Sequence, residues 1–246
     1  MSVILRRAER GDIPRIVAFY ERESDPNILR RSAREVTYAV DLGVTFLLLE
    51  NNQIVAASGA FAIRSRNELY FEYGGTIVTR PFRGFKLQDI FTAARFCFGV
   101  LFYPESLPDR VYTFVNPDNA RSNENIKGRG FSLRETAPTP YMKPCGECKS
   151  RTSLAPGRRC CYNIYGIDMG AIRRNVRYFL DASAQRTSSR GARLEITSTL
   201  FREPRQRAIL HRVIEAEREL PAEHALARID GVDHHRCHVG IGGRCP

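Results

Sequence analysis

The sequence predicts an α/β fold followed by a C-terminal helical extension, and three observations carry that prediction. Short segments rich in aromatic and β-branched residues alternate with segments whose apolar residues recur at helical spacing. Two apolar runs separated by Asn51, Asn52 and Gln53 read as a hairpin. A strand over residues 69–78 then passes through a short basic glycine turn into a long apolar helical stripe.

Taken in order, residues 4–8 read as a first strand. Gly11 and Asp12 form a turn in which Asp12 is placed to cap a helix. Ile13, Ile16, Val17 and Tyr20 make that helix's apolar stripe. A second helix is expected over residues 32–42, because Ser32 followed three residues later by Glu35 is a capping-box pattern. The hairpin pairs residues 45–50 with residues 54–61, and residues 64–67 turn into the strand over 69–78.

That strand is interrupted by Gly74 and Gly75, which mark a bulge or a close approach of backbone to something else, a ligand being one candidate. After the basic turn over residues 80–84, Leu87, Ile90, Phe91, Ala94, Phe98, Leu101 and Phe102 recur at helical spacing. A helix start offers unpaired N–H groups with partial positive charge, and Arg83 and Lys86 add full charges there, so the turn is a candidate phosphate site. An ordinary strand-to-helix connection is the plainer reading of the same residues.

Residues 103–109 contain two prolines and read as a loop, and residues 110–116 as a fifth strand. A polar helix follows from Asn119 to the pair Gly130 and Phe131. Cys145, Cys148, Cys160 and Cys161 then fall within seventeen residues among Lys143, Lys149, Arg151, Arg158 and Arg159. Cationic neighbours keep thiolates ionised, which points to a metal site, zinc first, with a three-cysteine site, iron or an iron–sulfur cluster as alternatives. Reduced thiols, or disulfides in an exported protein, are the plainer readings. Residues 162–167 read as a closing strand, residues 183–193 as a polar flexible linker, and residues 204–220 as an amphipathic helix that packs on the core or mediates a homodimer. The last thirteen residues carry three His and two Cys, read as a disordered tail or as spare metal ligands.

The 246 residues are enough for a full core, and 38 Lys+Arg against 27 Asp+Glu leave a formal charge of +11. Such an excess favours polyanions, whether nucleic acid, an acidic protein face or a phosphorylated cofactor, although it is not gathered into one basic run. No apolar run approaches the roughly 20 residues of a membrane span, and the N-terminus lacks a signal-peptide layout, so the expected location is the cytoplasm.

Over residues 3–131 the order of segments resembles the GNAT acyltransferase superfamily. The opening LRRAERGDIPRIVAFY looks like that family's start. The sequence Val78-Thr-Arg-Pro-Phe-Arg83-Gly84 is similar to its strand-to-loop pattern, with the valine five residues before the arginine. The asparagine eleven residues before Gly130 and Phe131 is the second most specific feature. Two departures stand out. Where the family spaces further small residues after the arginine this chain has Lys86 and Gln88, and where it places a tyrosine general acid this chain has Ile126.

The resemblance implies a mixed, mostly antiparallel sheet flanked by helices over residues 1–172, with a cysteine-rich insertion at 143–161 and an extension at 173–246. It implies transfer of an acyl group from acetyl-CoA or another acyl-CoA to an amine acceptor. Arg83, Gly84, Phe85, Lys86, Leu87 and Gln88 would hold the pyrophosphate, Ile77 and Val78 would offer backbone to the thioester arm, and Asn119 would reach the pantetheine. Glu72, in the strand just before the glycines, would take the amine's proton, a solvent-facing strand glutamate being the plainer reading. Two rivals remain open: a related enzyme that modifies nucleic acid, and a non-catalytic binding module that kept the fold.

Overall fold

The structure, a computed structural model, describes residues 1–23, 31–65, 68–137, 162–181 and 185–216. Its centre is one sheet in the order β6-β7-β5-β4-β3-β2-β1-β9-β8. The strands are β1 (Ser2–Arg7), β2 (Thr45–Glu50), β3 (Gln53–Ser65), β4 (Glu68–Val78), β5 (Val111–Val115), β6 (Ser132–Ala137), β7 (Tyr162–Gly166), β8 (Gln185–Thr187) and β9 (Arg193–Ser198). Only β1–β9 and β4–β5 pair in parallel, and the other pairings are antiparallel. Helices α1 (Ile13–Arg22) and α2 (Ala33–Asp41) cover one face. Helices α3 (Leu87–Phe102), α5 (Met169–Asp181) and α6 (Pro204–Glu215) cover the other, and α4 (Ala120–Gly128) follows β5.

Because the sheet is covered on both faces, strand β2 runs apolar without a break from Phe46 to Leu49 rather than alternating. Leu47 and Leu49 enter the core under α1 and α2, with Ile16, Phe19 and Ile77. Phe46 and Leu48 enter the core under α3, with Phe91, Phe96 and Phe98. Each such side chain contributes about 1.5–3 kcal/mol on burial. Helix α3 lies deepest: nearly every side chain from Ile90 to Leu101 is buried, including Arg95 and Thr92.

Several local signals act as the sequence predicts. Ser32 accepts from the Glu35 amide and the Glu35 carboxylate accepts from the Ser32 amide, a complete capping box. Asp12 differs. It precedes α1 without capping it, and instead takes Arg6 through both oxygens at 2.6 and 2.7 Å and the Glu9 amide at 2.9 Å. Arg6, half-buried beside it, is the stronger partner, and it holds the Asp12 carboxyl below the usual carboxylate range.

Of the segment expected to be a flexible linker, residues 183–193, the described part from Gln185 forms β8 and the turn into β9 instead. Leu194 and Ile196 alternate inward on β9 and pair it with β1, whose edge would otherwise be open. Ser188 Oγ accepts from the amides of Arg190 and Ala192, which shapes the turn. Helix α6 buries Ile209, Leu210 and Val213 in the main core, so of its two expected roles the apolar face serves core packing.

No helix among the described residues is long and apolar enough to cross a membrane. Cys145, Cys148, Cys160, Cys161 and the His-rich tail lie outside the described residues. Among the described residues no group of three or more His, Cys, Asp or Glu is placed to hold a metal ion.

Candidate active site

The site opens where β4 and β5 part. The two strands pair at only two positions, Phe71 with Val111 and Glu72 with Tyr112. Beyond Glu72, β5 continues with β7, and among the described residues no strand pairs with the side of β4 facing it. Unpaired strand backbone is costly unless something occupies it. The Thr79 amide bonds back to Val55 on β3 at 2.9 Å, so by alternation Ile77 also faces β3 while Val78 directs its backbone into the opening. Arg83 Nε donates to the Val78 carbonyl at 3.0 Å and ties the following loop to this end of β4.

A bulge sits in the middle of the opening. Between the pairs Gly59–Gly74 and Ala57–Ile77, β4 has two residues, Gly75 and Thr76, against Ser58 alone. Gly75 takes a left-handed φ of +62°, and a Cβ there would come within 2.9 Å of Phe61. Ser58 and Thr76 share a hydroxyl hydrogen bond of 2.6 Å. Tyr20, from α1, donates its hydroxyl to the Gly75 carbonyl at 3.0 Å, and burial pushes that hydroxyl up to about 12, so it stays a donor. Arg95, from α3 on the other face, donates to the carbonyls of Gly59 at 2.9 Å and Gly74 at 3.3 Å.

Glu72 is buried on the α1–α2 face, and its Oε2 takes Arg31 Nη2 at 2.7 Å. The side chains are 2% and 6% exposed, so this ion pair is shielded from solvent. The Arg31 guanidinium also lies 3.9 Å from the centre of the Phe61 ring and 3.3 Å from Glu35. Glu72 Oε1 overhangs Gly74, since a Cβ at that glycine would stand 2.8 Å from it. Tyr70 and Tyr112, whose rings are 5.8 Å apart, are close neighbours of Glu72 in sequence and sheet register.

At the mouth of the opening, a 3-10 turn over Arg80–Phe82 leads to exposed Arg83, to Gly84 and to α3. Phe85 and Leu87 are buried anchors, while Lys86 is exposed. Lys86 stands before α3 in the left-handed region, φ +55° and ψ +38°, a conformation that costs a non-glycine residue about 1–2 kcal/mol. The loop therefore keeps a glycine-like path at the position where the sequence departs from the family's small residues. Gln88 Oε1 accepts from Asn125 of α4 at 3.2 Å, and Arg129 at the end of α4 pairs with Asp89 at 3.4 Å, so α4 is tied to the first turn of α3. Burial pushes the Asp89 carboxyl up against the pull of Arg129.

On the β5 side, Asn119 uses its side-chain oxygen to cap α4 through the Ser122 amide at 3.1 Å. Asn123 is buried among the carbonyls of Asn116 and Asn119, the Asn163 amide and the Tyr165 hydroxyl. Ile126 is buried, so the position of the family's tyrosine faces the core. The structure thus brings Glu72, Val78 and the loop from Arg83 to Gln88 to one opening, turns Ile77 toward β3 and gives Asn119 a capping task. Sequence reasoning passed over Arg31 and Arg95 and gave Tyr20 only a place in the apolar stripe of the first helix. Arg95 carried a signal, a single charge inside the apolar run IFTAARFCFGVLF.

No protein-family model matches the chain, and no curated protein matches it in sequence. Solved structures do match. The chain is similar to one in the crystal structure of the NatC complex bound to Gag peptide and CoA, with a TM-score of 0.50 and 12% identity, covering 68% of this chain and 99% of that one. It is also similar to a GNAT superfamily phosphinothricin acetyltransferase from Sinorhizobium meliloti in complex with AcCoA, with a TM-score of 0.49 and 14% identity over 68% of this chain and 90% of that one. A third is Naa50 of Arabidopsis thaliana in complex with a bisubstrate analogue, with a TM-score of 0.47 and 17% identity over 67% and 98%. The fold is GNAT-like. The resemblance spans about two-thirds of the chain.

Proposed function

We propose that this protein is an acyl-CoA-dependent N-acyltransferase that moves an acetyl or related acyl group to an amine. The observation that carries the reading is the parting of β4 from β5 beside a glycine bulge, at the same end of the sheet as a basic helix start. The opening supplies free strand backbone for an extended amide-bearing arm, and the loop from Arg83 to Gln88 supplies cations and helix N–H groups for a pyrophosphate. A GNAT-like neighbour solved with CoA supports a CoA ester as donor.

The chemistry asks for an oriented thioester, a donor for its carbonyl oxygen and a deprotonated amine. The Val78 amide is placed on the opening's edge. Glu72 is proposed to accept the amine's proton through its Oε1, directly or through water, while Arg31 fixes the carboxylate through Oε2. The amine then attacks the thioester carbon, the tetrahedral oxyanion collapses, and CoA leaves as a thiolate that takes a proton from solvent. Ile126 offers no proton at the family's usual position, so solvent replaces that step here.

Mass spectrometry of the ligand carried by the purified full chain, followed by calorimetry with acetyl-CoA, tests the reading. A bound CoA species is expected. Charge-assisted contacts are worth about 1.5–3 kcal/mol, so Arg83→Ala is expected to weaken acetyl-CoA by at least about tenfold. A wild-type chain with no affinity for CoA or its esters removes the proposal and favours a binding module with another ligand.

A further inference from the structure

We infer that Arg95 is a positioning residue for acyl transfer, holding the β4 bulge from the hidden face of the sheet so that the strand's open edge keeps the thioester carbonyl in one orientation. The inference rests on the acyl-CoA reading and adds a residue that sequence motifs do not point to.

Arg95 is 3% exposed, in the middle of the most buried helix among the described residues. Its Nη1 donates to Gly59 O and Gly74 O, the two residues that face each other just before the register shift. Its Nη2 donates to Thr92 Oγ1 at 3.0 Å. Its guanidinium carbon is 5.0 Å from the centre of the Tyr73 ring, and the Tyr73 hydroxyl donates to the Arg95 carbonyl at 3.0 Å. On the opposite face Tyr20 takes the next carbonyl, that of Gly75. Successive carbonyls of the bulge are therefore pulled to opposite faces of the sheet, and the peptide plane between them has one setting.

Stability alone does not explain this arginine. Among the described residues no carboxylate lies within ion-pair distance of it, and its Nε has no hydrogen-bond acceptor. A buried charge without a counterion is unfavourable, and apolar side chains of similar volume commonly replace buried ionic groups at no loss or with a gain in stability. Burial lowers the Arg95 guanidinium to about 10, so it still carries its charge at neutral pH. What the arginine supplies is order. A bulge built on Gly74 and Gly75, opposite Gly59, has many backbone settings to lose, and a misplacement of about 1 Å in a reacting group costs on the order of a hundredfold in rate.

The test uses the full chain and acetyl-CoA with a heavy-carbon label at the acetyl carbonyl, read by difference infrared spectroscopy beside calorimetry. In the wild type, one narrow carbonyl band shifted from its solution position is expected. Arg95→Met is expected to bind acetyl-CoA within about threefold of wild type while the band broadens and moves back toward the solution position. Arg95→Lys, which keeps the charge but loses the Nη2 contact with Thr92 that fixes the guanidinium plane, is expected to lie between. A merely structural arginine would change the melting temperature and leave the bound band alone, so a folded Arg95→Met protein with the wild-type band overturns the inference. If Arg95→Met does not fold, a wild-type band in Arg95→Lys overturns it equally. A wild-type protein that binds no acetyl-CoA ends the acyltransferase reading and this inference with it, whereas a bound but insensitive band ends this inference alone.

Discussion

Glu72 shows how one residue's role depends on its partners. As a strand glutamate it could face solvent, but the fold buries it against Arg31 and leaves Oε1 over Gly74. Positioned bases typically contribute about 10²–10⁴-fold. Glu72→Gln is expected to lower turnover by such a factor, with acetyl-CoA affinity unchanged, in an assay of thiol release with an accepted amine. A near-normal rate would remove Glu72 from the proton transfer. Asp12 makes a second residue-scale case. Its carboxyl is held below the ordinary range by Arg6, so its contribution to stability is present above the unfolded value and lost as pH falls through the folded one. Asp12→Asn is therefore expected to cost about 1–2 kcal/mol at neutral pH, by urea denaturation, and progressively less in strong acid. A cost that stayed constant down to pH about 2 would contradict the ion-pair account.

Among elements, β4 and α3 form one unit. The strand supplies the bulge, the helix supplies Arg95 behind it, and the loop between them supplies Arg83 and Lys86 at the mouth. Gly75 is the residue on which this unit depends, because its φ of +62° and the 2.9 Å distance from a Cβ to Phe61 both exclude a side chain. Gly75→Ala is expected to destabilise the protein by about 1–3 kcal/mol. Wild-type stability by thermal melting would mean that the strand can pair without the left-handed residue. Helix α4 is held to the same unit by the contacts of Gln88 with Asn125 and of Asp89 with Arg129, so α4 and the first turn of α3 are tied together.

Across the whole molecule, the C-terminal part is built into the first part rather than hung from it. Strand β9 completes the sheet beside β1, from Ser2 with Glu195 to Leu5 with Ser198. Leu210 of α6 and Val176 of α5 are fully buried against the core that holds α3. A chain ending at Asp181 would expose the β1 edge and the apolar surface now under α6. It is expected to aggregate or to melt at least 10 °C lower, since losing two or three buried apolar side chains costs several kcal/mol. A truncated chain that stays monomeric and keeps the full melting temperature would make residues 182–246 an independent appendage.

The sequence by itself determined the local elements around the site. The capping box at Ser32, the hairpin through Asn51 and Asn52, the double glycine of β4 and the basic turn before α3 each rest on contacts within a few residues, so their signals are short and legible. The alternation of Leu194 and Ile196 was also legible, but the polar residues before it masked a strand whose partner, β1, lies about 190 residues away in sequence. What only the tertiary structure decided are the pairings across faces: Arg31 with Glu72, Arg95 and Tyr20 on successive carbonyls, and the parting of β4 from β5. Those depend on which distant segments meet, and a buried charge or an unpaired strand edge becomes meaningful only when its surroundings are known.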